Sequence, residues 1–417
     1  MSEAAVETTQ LVVQKFGGSS LATPERIGHV AERIAATAAS GVAVCVVVSA
    51  MGDTTDDLLD LAAQVSAAAH ARETDMLLAA GEQISIALLT MALLDRGLPA
   101  VSLTGPQAGI LTDSSHGNAR IIGMRADRVA AAIARGEIPI VAGFQGLSQD
   151  LDVTTLGRGG SDTTAVALAA ALGATVCEIY TDVDGVFTAD PRLVPNARKL
   201  ARLSYDEMLD LAACGARVLM ARSVEYARRN GVPLHVRSSF REDDGTWIDE
   251  EGGAMEHAIV SGIAHDTSEA KVTLFGVPDQ PGIAASVFRP LAAAAINVDM
   301  IVQNVSEQGH TDISFTLPED DLPRATTILE DVAKRISAAG VVAERGIAKV
   351  SLIGAGMKSD PGVAADMFEA LAEAGINIQI ISTSSIRISC VIRADAVEAA
   401  VNAVHTRFKL HLGEPGA

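Results

Sequence analysis

The sequence contains few aromatic residues, only 3% of the chain with a single Trp, although its hydrophobic fraction is 48%. Much of that fraction is alanine, whose small side chain lets helices approach sheets closely, as in α/β proteins. The longest strongly apolar stretches, 42–48 and 165–172, are far shorter than the roughly 20 residues of a membrane-spanning helix. The composition therefore favours an α/β protein with no membrane attachment.

Cysteine and positive charge are also scarce. The four cysteines form no CxxC pair and no Cys/His metal spacing, so we expect reduced, buried thiols and no metal site. Lys and Arg number 32 against 52 Asp and Glu, and the net charge of -20 leaves no basic stripe for a nucleic acid. The first ten residues contain no basic region followed by an apolar segment, so we expect no signal peptide and a cytoplasmic protein.

A chain of 417 residues is long enough for two or three domains. From residue 11 to about residue 239, short β-branched segments alternate with alanine-rich segments of helical length. The predicted strands are 11–16, 43–49, 100–103, 138–143, 176–181 and 233–237, and the predicted helices are 23–39, 56–69, 73–95, 118–134, 162–172 and 204–214. This alternation predicts βαβ units around a mostly parallel sheet.

An internal repeat follows a polar segment, 240–253, which we interpret as a linker or exposed hairpin that closes the first domain. Residues 271–305 and 349–384 share the order strand, Pro-Gly, helix, Ile-Asn and strand, and a further strand and helix follow each. This pattern predicts two ferredoxin-like βαββαβ modules. The predicted domains are 1–245, 265–345 and 346–417, with 246–264 as a linker and strand between the first two.

The segment KFGGSS, residues 15–20, leaves a predicted strand and enters a predicted helix. Gly17 and Gly18 allow the backbone to turn and to bring its N–H groups close to an anion, and Lys15 adds a positive charge. The two serines that follow can cap the helix, whose N-terminus favours phosphate. An ordinary strand–turn–helix connection would explain the same residues, and the segment is neither a Walker A loop nor a Rossmann fingerprint.

A second segment, VVVSAMGDTTDDL at 46–58, ends a buried strand and leads into a helix that Thr55 or Asp56 would cap. Polar groups at the carboxyl end of a parallel strand lie where α/β proteins bind ligands. Helix capping alone would account for both residues about equally well, so a ligand site and a structural cap remain alternatives for this segment.

The segment TTLGRGGSDTTA, residues 154–165, surrounds one arginine with three glycines before a predicted helix. Arg158 on such a loop can hold a carboxylate through two hydrogen bonds, and Gly159 and Gly160 can offer N–H groups to developing negative charge. A purely structural loop rarely needs so many glycines beside a guanidinium, so we interpret this loop as functional. A fourth segment, IYTDVDGVFTADPR at 179–192, could hold a nucleotide, although its Asp-Gly would also suit a β-turn.

Taken in order, KFGGSS, VVSAMGDTTD, Gly81-Glu82, GRGGSD and TDVDGVFTADPR resemble the aspartokinases of the amino-acid kinase superfamily. The duplicated C-terminal module resembles the paired ACT domains of that family, and the likeness to its actinobacterial, lysine-pathway type covers nearly the whole chain. The resemblance implies a three-layer αβα kinase domain followed by two ACT modules. It also implies transfer of the γ-phosphate of ATP, carried with Mg²⁺, to the side-chain carboxylate of L-aspartate, which begins the synthesis of lysine, threonine, methionine and isoleucine.

The resemblance also implies roles for individual residues of the kinase domain. Those implied in catalysis are Lys15, Gly17, Gly18 and Asp162. Of these, Asp162 would organise Lys15. Those implied in aspartate binding are Ser49, Thr55, Glu82, Arg158, Gly160 and Ser161, with Glu82 facing the ammonium and Arg158 holding the α-carboxylate. Those implied in ATP binding are Lys15, Gly17, Gly18, Thr181, Asp182, Phe187, Arg192 and Arg217. Arg217 stands where the family usually has lysine, so it keeps the charge but not the geometry.

For the repeat, the resemblance implies feedback inhibition by lysine, threonine or both. The helix that Asp279 and Pro-Gly open has free N–H groups for an effector carboxylate, although the same residues could merely start a helix. The implied effector residues are Asp279, Gly282, Ile283, Ala284, Asn297, Asp299 and Gln303 in the first copy and Asn377, Ile378, Thr383 and Ser384 in the second. The resemblance also implies a homo-oligomer or an α2β2 assembly through the ACT domains, and the sequence leaves open whether Met255 is an internal start for a second subunit.

Two other functions compete with this one. Another acid kinase of the superfamily, such as a glutamate 5-kinase or a carbamate kinase, would lack the paired repeat. A non-catalytic amino-acid sensor built on an inactive kinase domain is disfavoured by the intact Lys15, Arg158 and Asp182. A substrate carboxylate is already ionised at pH 7, so phosphoryl transfer to it needs no general base, which agrees with the lack of an obvious catalytic histidine.

Overall fold

A computed structural model of the chain describes residues 10–68, 70–252, 260–304 and 309–412, which form two compact units. The described residues of the first unit are 10–186, 199–213 and 217–252, and those of the second are 187–198, 214–216 and 260–412. The units therefore do not follow a single cut near residue 245, because Ala189 and Val194 pack into a core of the second unit. Two features discussed in the sequence analysis, the internal start at Met255 and the N-terminal segment without a signal peptide, involve Met255 and the first nine residues, which lie outside the described residues.

The first unit is built on β-strands that alternate with α-helices. Its strands are β1 (Leu11–Phe16), β2 (Ala43–Val48), β3 (Ala100–Leu103), β4 (Ile110–Thr112), β5 (Ile121–Met124), β6 (Ile138–Ala142), β7 (Gln145–Leu147), β8 (Val153–Thr155), β9 (Val176–Thr181), β10 (Arg202–Ser204), β11 (Leu234–Ser238) and β12 (Thr246–Asp249). Its helices are α1 (Pro24–Ala39), α2 (Thr54–Val65), α3 (Ala71–Leu94), α4 (Asp127–Ala134), α5 (Gly160–Leu172), α6 (Tyr205–Ala213) and α7 (Ala221–Asn230), and a 3₁₀ helix spans Gly18–Leu21.

Eight of these strands form the main sheet in the order β10-β12-β11-β9-β1-β2-β6-β3. Every neighbouring pair is parallel except β11 with β12, which confirms the mostly parallel sheet. Helices α1 and α3 cover one face, where Val46 and Ile140 lie in the core with Leu89. Val47 on the opposite face is also fully buried, and α5 packs on that strand and on its neighbour β1. Helices on both faces explain the continuous apolar strands and confirm the α/β class.

Two predicted segments differ from the structure. Segment 118–134, predicted as one helix, contains β5 and then α4, because the β-branched pair before Gly123 favours a strand and the glycine disfavours a helix. Segment 240–253, predicted as a linker or hairpin, contributes β12 to the main sheet. Its Thr246 and Ile248 are buried on either side of a more exposed Trp247, which is the alternation of a strand.

A second, smaller sheet in the first unit was not predicted. It consists of β5, β4, β7 and β8 in that order. Its strands are three or four residues long, too short for an alternating pattern to stand out in the sequence. Because β8 leads directly into the loop before α5, this small sheet helps to position that loop.

Among the described helices, only α3 is long and apolar enough to cross a membrane by length and composition. The sequence analysis expected no stretch of this kind. Half of its apolar window is buried, with Leu78, Leu89 and Leu93 on the buried side. Helix α3 packs against β3, β6 and β8, so its apolar character is that of a core helix.

The second unit contains two four-stranded antiparallel sheets with helices. Its strands are β13 (Gly262–Asp266), β14 (Glu269–Pro278), β15 (Ile301–Gln303), β16 (His310–Pro318), β17 (Gly340–Glu344), β18 (Ile347–Ile353), β19 (Ile380–Thr383) and β20 (Arg387–Arg393). Its helices are α8 (Ile283–Ala293), α9 (Leu322–Ile336), α10 (Gly362–Glu373) and α11 (Val397–Arg407), with 3₁₀ turns at Glu319–Asp321, Ala355–Ser359 and Ala394–Ala396.

The two repeats fold as two similar modules, which confirms the duplicated architecture. The first has the strand order β15-β16-β14-β17 and the second the order β13-β18-β20-β19. The edge position that β17 occupies in the first module is taken in the second by β13, which precedes both repeats in the chain and pairs with β18. Residues 262–266 therefore provide the outer strand of the second module. The βαββαβ order in the sequence analysis had instead placed that strand after α11.

The four cysteines are free and buried, as expected. Burial raises the pKa of Cys45 and of Cys390 to about 12. Thiols with such pKa values remain protonated near neutral pH, so they are poor nucleophiles and poor metal ligands.

Candidate functional site

The predicted motifs meet at one edge of the main sheet. Phe16, the last residue of β1, pairs in register with Val48 at the end of β2 and with Tyr180 near the end of β9. These strands run parallel, so the residues that follow them lie side by side at the carboxyl edge. This edge therefore brings together the first motif, the second motif and the start of the fourth.

Lys15 is held at this edge by a short ion pair. Its Nζ lies 2.6 Å from Oδ1 of Asp162, and each of the two side chains is 11% exposed. Asp162 lies in the first turn of α5, where the helix has N–H groups without partners inside the helix. A buried charge is costly unless it is paired, so Asp162 fixes the ammonium in one place. The edge therefore offers a fixed cation and a helix N-terminus to an incoming anion.

The backbone turns at the first motif, where a 3₁₀ helix begins at Gly18, and close packing is what requires glycine at that position. Gly17 is an extended residue with φ of -74° before the 3₁₀ helix. A Cβ added to Gly18 would lie 2.9 Å from the carbonyl oxygen of Ala50 and 3.1 Å from that of Gly52. Only glycine lets the first motif approach the loop of the second motif so closely.

The predicted helix caps in the first two motifs are wrong. Thr23 caps α1, whereas Ser20 of the first motif shares a hydrogen bond with a serine in the loop after β11. Helix α2 begins at Thr54, so Thr55 and Asp56 lie inside its first turn and cannot be its cap. Both residues line a cavity at the carboxyl edge instead, which favours the ligand-site interpretation of that segment.

Glu82 projects from α3 toward the same edge. Only 3% of the residue is exposed, and its Oε1 accepts a hydrogen bond of 3.0 Å from the N–H of Ala50. Its buried Oε2 has no hydrogen-bond partner in the described part of the chain. Burial raises the pKa of Glu82 to about 7, and the hydrogen bond from Ala50 offsets part of that rise. A ligand cation beside Oε2 would favour the ionised form.

The third motif forms the loop between β8 and α5. Gly157 and Gly159 have φ values of 76° and 69°, where residues with a Cβ are rare. A Cβ on Gly159 would also lie only 2.1 Å from Cγ of Met220. Arg158 is exposed between these two glycines, and α5 begins at Gly160. The loop therefore presents a guanidinium next to the helix N-terminus.

A single cavity of about 750 Å³ joins these groups. The predicted site residues that line it are Lys15, Gly18, Ser49, Thr55, Glu82, Arg158, Gly160, Ser161 and Asp162. Its volume is typical of a small-molecule site. The lining combines two cations, which suit anionic groups, with four carboxylates, of which the buried Glu82 has an oxygen without a partner among the described residues and suits a cation.

The residues predicted to contact ATP are divided between the two units. Thr181 and Asp182 lie at the carboxyl edge of the first unit, where the hydroxyl of Thr181 donates to the carboxylate of Asp182 at 3.1 Å. Arg217 is exposed in the first unit, and in the described structure none of these three residues lines the cavity. Phe187 and Arg192 belong to the second unit.

Within the second unit, Arg192 is oriented by a neighbouring carboxylate. Its Nε and Nη2 donate to Asp190 at 3.0 and 2.6 Å, although 85% of the Arg192 side chain is exposed. The hydrogen bond from this guanidinium lowers the pKa of Asp190. The predicted Asp-Pro-Arg segment therefore presents a guanidinium that is held on one side and exposed on the other.

Asp75 also lines the cavity, and the sequence analysis missed it. It is fully buried on α3, seven residues before Glu82. A spacing of seven residues places two side chains on the same face of a helix. The available signal was two acids at this spacing on the face of α3 that also carries Leu78 and Leu89.

In the first module of the second unit, the predicted effector residues Asp279, Gly282 and Ala284 lie where α8 begins. Gly282 is the N-cap with φ of 92°, and Asp279 is exposed. The side chain of Ile283 is buried in the module core, so only its backbone remains for a ligand. The geometry keeps a helix N-terminus beside an exposed carboxylate.

Asn297, Asp299 and Gln303 follow α8 and are exposed. One oxygen of Asp299 lies 2.6 Å from Nζ of Lys349, and Glu269 lies 2.6 Å from the same ammonium. Burial alone would lower the pKa of Lys349, but the two carboxylates raise it above its usual value. Asp299 therefore has a structural ion pair, which the sequence analysis did not foresee.

The predicted effector residues of the second module occupy matching positions. Asn377 follows α10 as its counterpart follows α8, and Ile378 packs against the module core. Thr383 ends β19, and the N–H of Ser384 donates to the carbonyl of Arg387 in the turn to β20. Thr383 and Ser384 are exposed, so both remain accessible to a ligand.

Family models match both parts of the chain. The amino acid kinase family matches residues 10–238, and an ACT domain family matches 272–332 and 350–408. Over 405 residues the chain is 60% identical to an aspartokinase of Mycolicibacterium smegmatis and 58% identical to an aspartokinase of Corynebacterium glutamicum. Each alignment covers 96% of this chain and 96% of the relative, so the similarity extends over both domains that the family models match.

Solved structures are similar over nearly the same extent. Escherichia coli aspartokinase III in complex with aspartate and ADP has a TM-score of 0.82 at 26% identity, covering 95% of this chain and 99% of that one. The same protein with lysine and aspartate has a TM-score of 0.73 at 26% identity, with the same coverage. An aspartate kinase from Synechocystis is 45% identical with a TM-score of 0.54, covering 98% of this chain and 71% of that one.

Proposed function

The chain belongs to the aspartokinase family and is an ATP-dependent kinase, and we propose that it transfers the γ-phosphoryl group of ATP to the side-chain carboxylate of L-aspartate. The observation that carries this proposal is the charge pattern of the cavity, which Lys15, Arg158 and Glu82 line together. L-Aspartate presents two carboxylates and one ammonium, and the transferred group adds further negative charge. The complex of aspartokinase III with aspartate and ADP supports aspartate and an adenine nucleotide as the ligands.

Three residues would orient the aspartate. Arg158, exposed on its glycine loop, would bind the α-carboxylate through two hydrogen bonds. Oε2 of Glu82, which has no hydrogen-bond partner in the part of the chain that the structure describes, would accept hydrogen bonds from the ammonium. Ser49 and Thr55 line the same cavity and would donate hydroxyl groups to the remaining carboxylate oxygens. The side-chain carboxylate would then face Lys15, which lines the same cavity.

The chemical step needs positioning and charge stabilisation more than covalent help. A side-chain carboxylate oxygen of aspartate forms the new bond to the γ-phosphorus, and the bond from phosphorus to the bridging oxygen breaks, with its electron pair leaving on ADP. Lys15, held by Asp162, and the N–H groups at the start of α5 would stabilise the charge on the transferring group. No general base is required, since the attacking carboxylate is ionised at neutral pH.

We propose that ATP lies at the carboxyl edge beside β9, with Thr181 and Asp182 as contacts and with Phe187, Arg192 and Arg217 as further contacts. Mg²⁺ would arrive on the phosphates, where an ion needs only one or two protein carboxylates. Within the described ranges no cluster of three or more metal-ligating side chains is found, and the exposed Asp182 fits the role of a single carboxylate ligand. When bound, the ion would neutralise phosphate charge.

A hydroxamate assay tests the proposed reaction. The purified protein is incubated with MgATP, hydroxylamine and one of several acids, including aspartate, glutamate and carbamate. We expect an acyl hydroxamate with aspartate only, because the cavity matches its charges. A product with another acid would indicate a different kinase of the superfamily, and no product with any acid would indicate a sensor without catalytic activity.

We further propose that the enzyme acts in the cytoplasm at the start of lysine, threonine, methionine and isoleucine synthesis, and that lysine and threonine inhibit it through the two ACT modules. The paired modules and the complex of aspartokinase III with lysine support this regulation. A homo-oligomer or an α2β2 assembly through the ACT modules would bring effector sites together. Effector binding then changes activity only through a coupling free energy between the sites.

Replacing Asp279 with alanine is expected to weaken inhibition while leaving uninhibited activity intact. The exposed carboxylate would bind the effector ammonium, while the N-terminus of α8 binds the effector carboxylate. Loss of one charge-assisted contact should cost about 1.5–3 kcal/mol, so the inhibition constant should rise roughly tenfold to hundredfold. The measurement is a set of inhibition curves with lysine and threonine, singly and together.

Asp320→Ala is the matched control, because Asp320 is another exposed acid of the same module outside the proposed effector set. Its inhibition curves should match those of the unsubstituted protein. If Asp279→Ala and Asp320→Ala give the same curves, Asp279 has no effector contact. A parallel fall in uninhibited activity would mean that the substitution damages the fold instead.

A further inference from the structure

Two acids on the same face of α3 have different environments. Glu82 uses one carboxylate oxygen on the N–H of Ala50, and its other oxygen has no hydrogen-bond partner in the described residues. Asp75, two helical turns earlier, is fully buried and has partners on both oxygens. Glu82 is therefore available to a ligand, whereas Asp75 is already occupied by the protein.

Asp75 joins two separate segments of the chain. Its Oδ2 lies 2.7 Å from Nδ1 of His116, and both of its oxygens accept the N–H of Gly117, at 3.0 and 3.1 Å. Its Oδ1 also accepts the hydroxyl of Thr155 at 2.5 Å. His116 and Gly117 lie between β4 and β5, while Thr155 ends β8. One buried carboxylate thus links the two segments beside the cavity.

Arg222 joins the same two segments through their carbonyl groups. From α7, its Nη1 donates to the carbonyl of Leu156 at 2.7 Å and its Nη2 to that of Ala119 at 2.6 Å. Between these two anchors, the N–H of Ala119 donates to the carbonyl of Thr155 at 2.8 Å. The segments are therefore held together by a carboxylate and a guanidinium that come from two different helices.

The linked segments support the glycine loop directly. Gly157 directly follows Thr155 and Leu156, which these hydrogen bonds hold. A Cβ added to Gly157 would lie 3.1 Å from the carbonyl oxygen of Gly117 and from Oδ1 of Asn118. Gly157, the first residue of the loop, therefore packs closely against the segment that contains His116. Arg158 is the next residue, so the position of its guanidinium depends on how firmly the two segments are joined.

We infer that Asp75 and Arg222 are positioning residues, which hold the loop from Gly157 to Gly160 so that Arg158 meets the carboxylate of the acceptor acid. This inference rests on the proposed function for the role of Arg158. Neither residue need touch the substrate: Asp75 has both oxygens engaged, and Arg222 donates to two backbone carbonyls. Because they hold the loop in place before binding, less conformational entropy is lost when the acid binds.

Adjacent threonines provide a matched test. Thr155→Val removes one donor to Asp75 with little change of shape, whereas Thr154→Val removes the hydrogen bond of 2.5 Å between Thr154 and Thr112. Both threonines are buried, but only Thr155 lines the cavity. We expect Thr155→Val to raise the KM for aspartate about tenfold, the effect of losing one buried hydrogen bond, with the KM for ATP unchanged.

Thr154→Val should lower the thermal stability to a similar extent and leave both KM values unchanged, and Thr155→Ser should restore the KM for aspartate. Arg222→Lys, which keeps the charge but loses the two-carbonyl contact, should again raise only the KM for aspartate. The proposal is overturned if Thr155→Val and Thr154→Val have the same KM for aspartate, or if Thr155→Val raises both KM values together.

A second measurement does not depend on the identity of the acid. Hydrogen exchange of the backbone amides of residues 157–163 should be faster in Thr155→Val than in Thr154→Val, and equal rates would contradict the inference. If the unsubstituted protein phosphorylates another acid, the proposed function is wrong, yet the comparison of the two threonine variants with that acid still tests the positioning role. If aspartate is the substrate and the variants do not differ, only the positioning role is wrong.

Discussion

Replacing Lys15 with alanine is expected to lower kcat by about 10² or more, the scale of a preorganised electrostatic contact, while the protein remains folded. The Lys15 ammonium lies at the carboxyl edge of the sheet, 2.6 Å from Asp162, and it lines the cavity. Its loss removes the fixed cation that would stabilise the transferring phosphoryl group. The measurement is steady-state kinetics at saturating MgATP and aspartate, with circular dichroism to verify folding.

The ion pair complicates this substitution, because Lys15→Ala leaves Asp162 buried without its counter-ion. The control is Asp162→Ala together with the double variant Lys15→Ala/Asp162→Ala. If the two residues act as a unit, the kcat of the double variant will be about that of Lys15→Ala alone, and its stability will be higher. A folded Lys15→Ala protein with unchanged kcat would rule out Lys15 as the phosphoryl-binding cation.

Replacing Glu82 with glutamine is expected to raise the KM for aspartate roughly tenfold to hundredfold, because a charge-assisted contact to the ammonium is lost. Burial raises the pKa of Glu82 to about 7 in the ligand-free protein. Part of the population is therefore protonated between about pH 6 and 7, and binding of the ammonium should expel that proton. Calorimetry in buffers of different ionisation enthalpy should detect proton release with the unsubstituted protein and not with Glu82→Gln.

The same pKa predicts the direction of a stability change. Since folding raises the pKa of Glu82 from 4.5 to about 7, its contribution to the free energy of unfolding is fully present below pH 4.5 and is lost as the pH rises through 7. The shift corresponds to roughly 3 kcal/mol at most. Glu82→Gln should therefore gain stability relative to the unsubstituted protein across this window, as measured by urea unfolding at several pH values.

Glu73→Gln is the control, because Glu73 lies on the same helix with its side chain 66% exposed. It should change neither the KM for aspartate nor the proton release. A stability difference between Glu82→Gln and the unsubstituted protein that stays constant from pH 4.5 to 8 would mean that Glu82 does not ionise in this window. Equal KM values would mean that it does not bind the ammonium.

Local sequence patterns predicted several site residues that lie at or just after the carboxyl ends of strands. Lys15, Ser49 and Arg158 were found because each stands beside glycines or small polar residues at the end of an apolar segment, and the structure brings them to one cavity. The parallel sheet explains this success for Lys15 and Ser49, since the ends of β1 and β2 meet at one edge whatever the details of packing, whereas Arg158 follows β8 of the smaller sheet. The helix caps of the first two motifs were predicted wrongly, because the ends of these helices depend on contacts between loops.

Features built from distant parts of the chain were not predictable in this way. The role of Asp75 depends on its hydrogen bonds with His116 and Thr155, which lie far from it in the sequence. Similarly, β13 pairs with a strand of the second module, although the whole of the first module lies between these two strands in the sequence. The ion pair between Asp299 and Lys349 also connects two repeats. No local pattern of hydrophobic or charged residues encodes such pairings, because they are set by the tertiary fold.

The most direct test of the central claim follows the oxygen that attacks phosphorus. L-Aspartate with ¹⁸O in its side-chain carboxylate is incubated with MgATP, the protein and hydroxylamine, and the released phosphate is analysed by mass spectrometry. If the carboxylate attacks the γ-phosphorus, hydroxylamine will then attack the acyl carbon and expel phosphate that keeps one labelled oxygen, and Lys15→Ala will reduce its formation. Phosphate without the label, formed at the same rate with and without aspartate, would contradict the account.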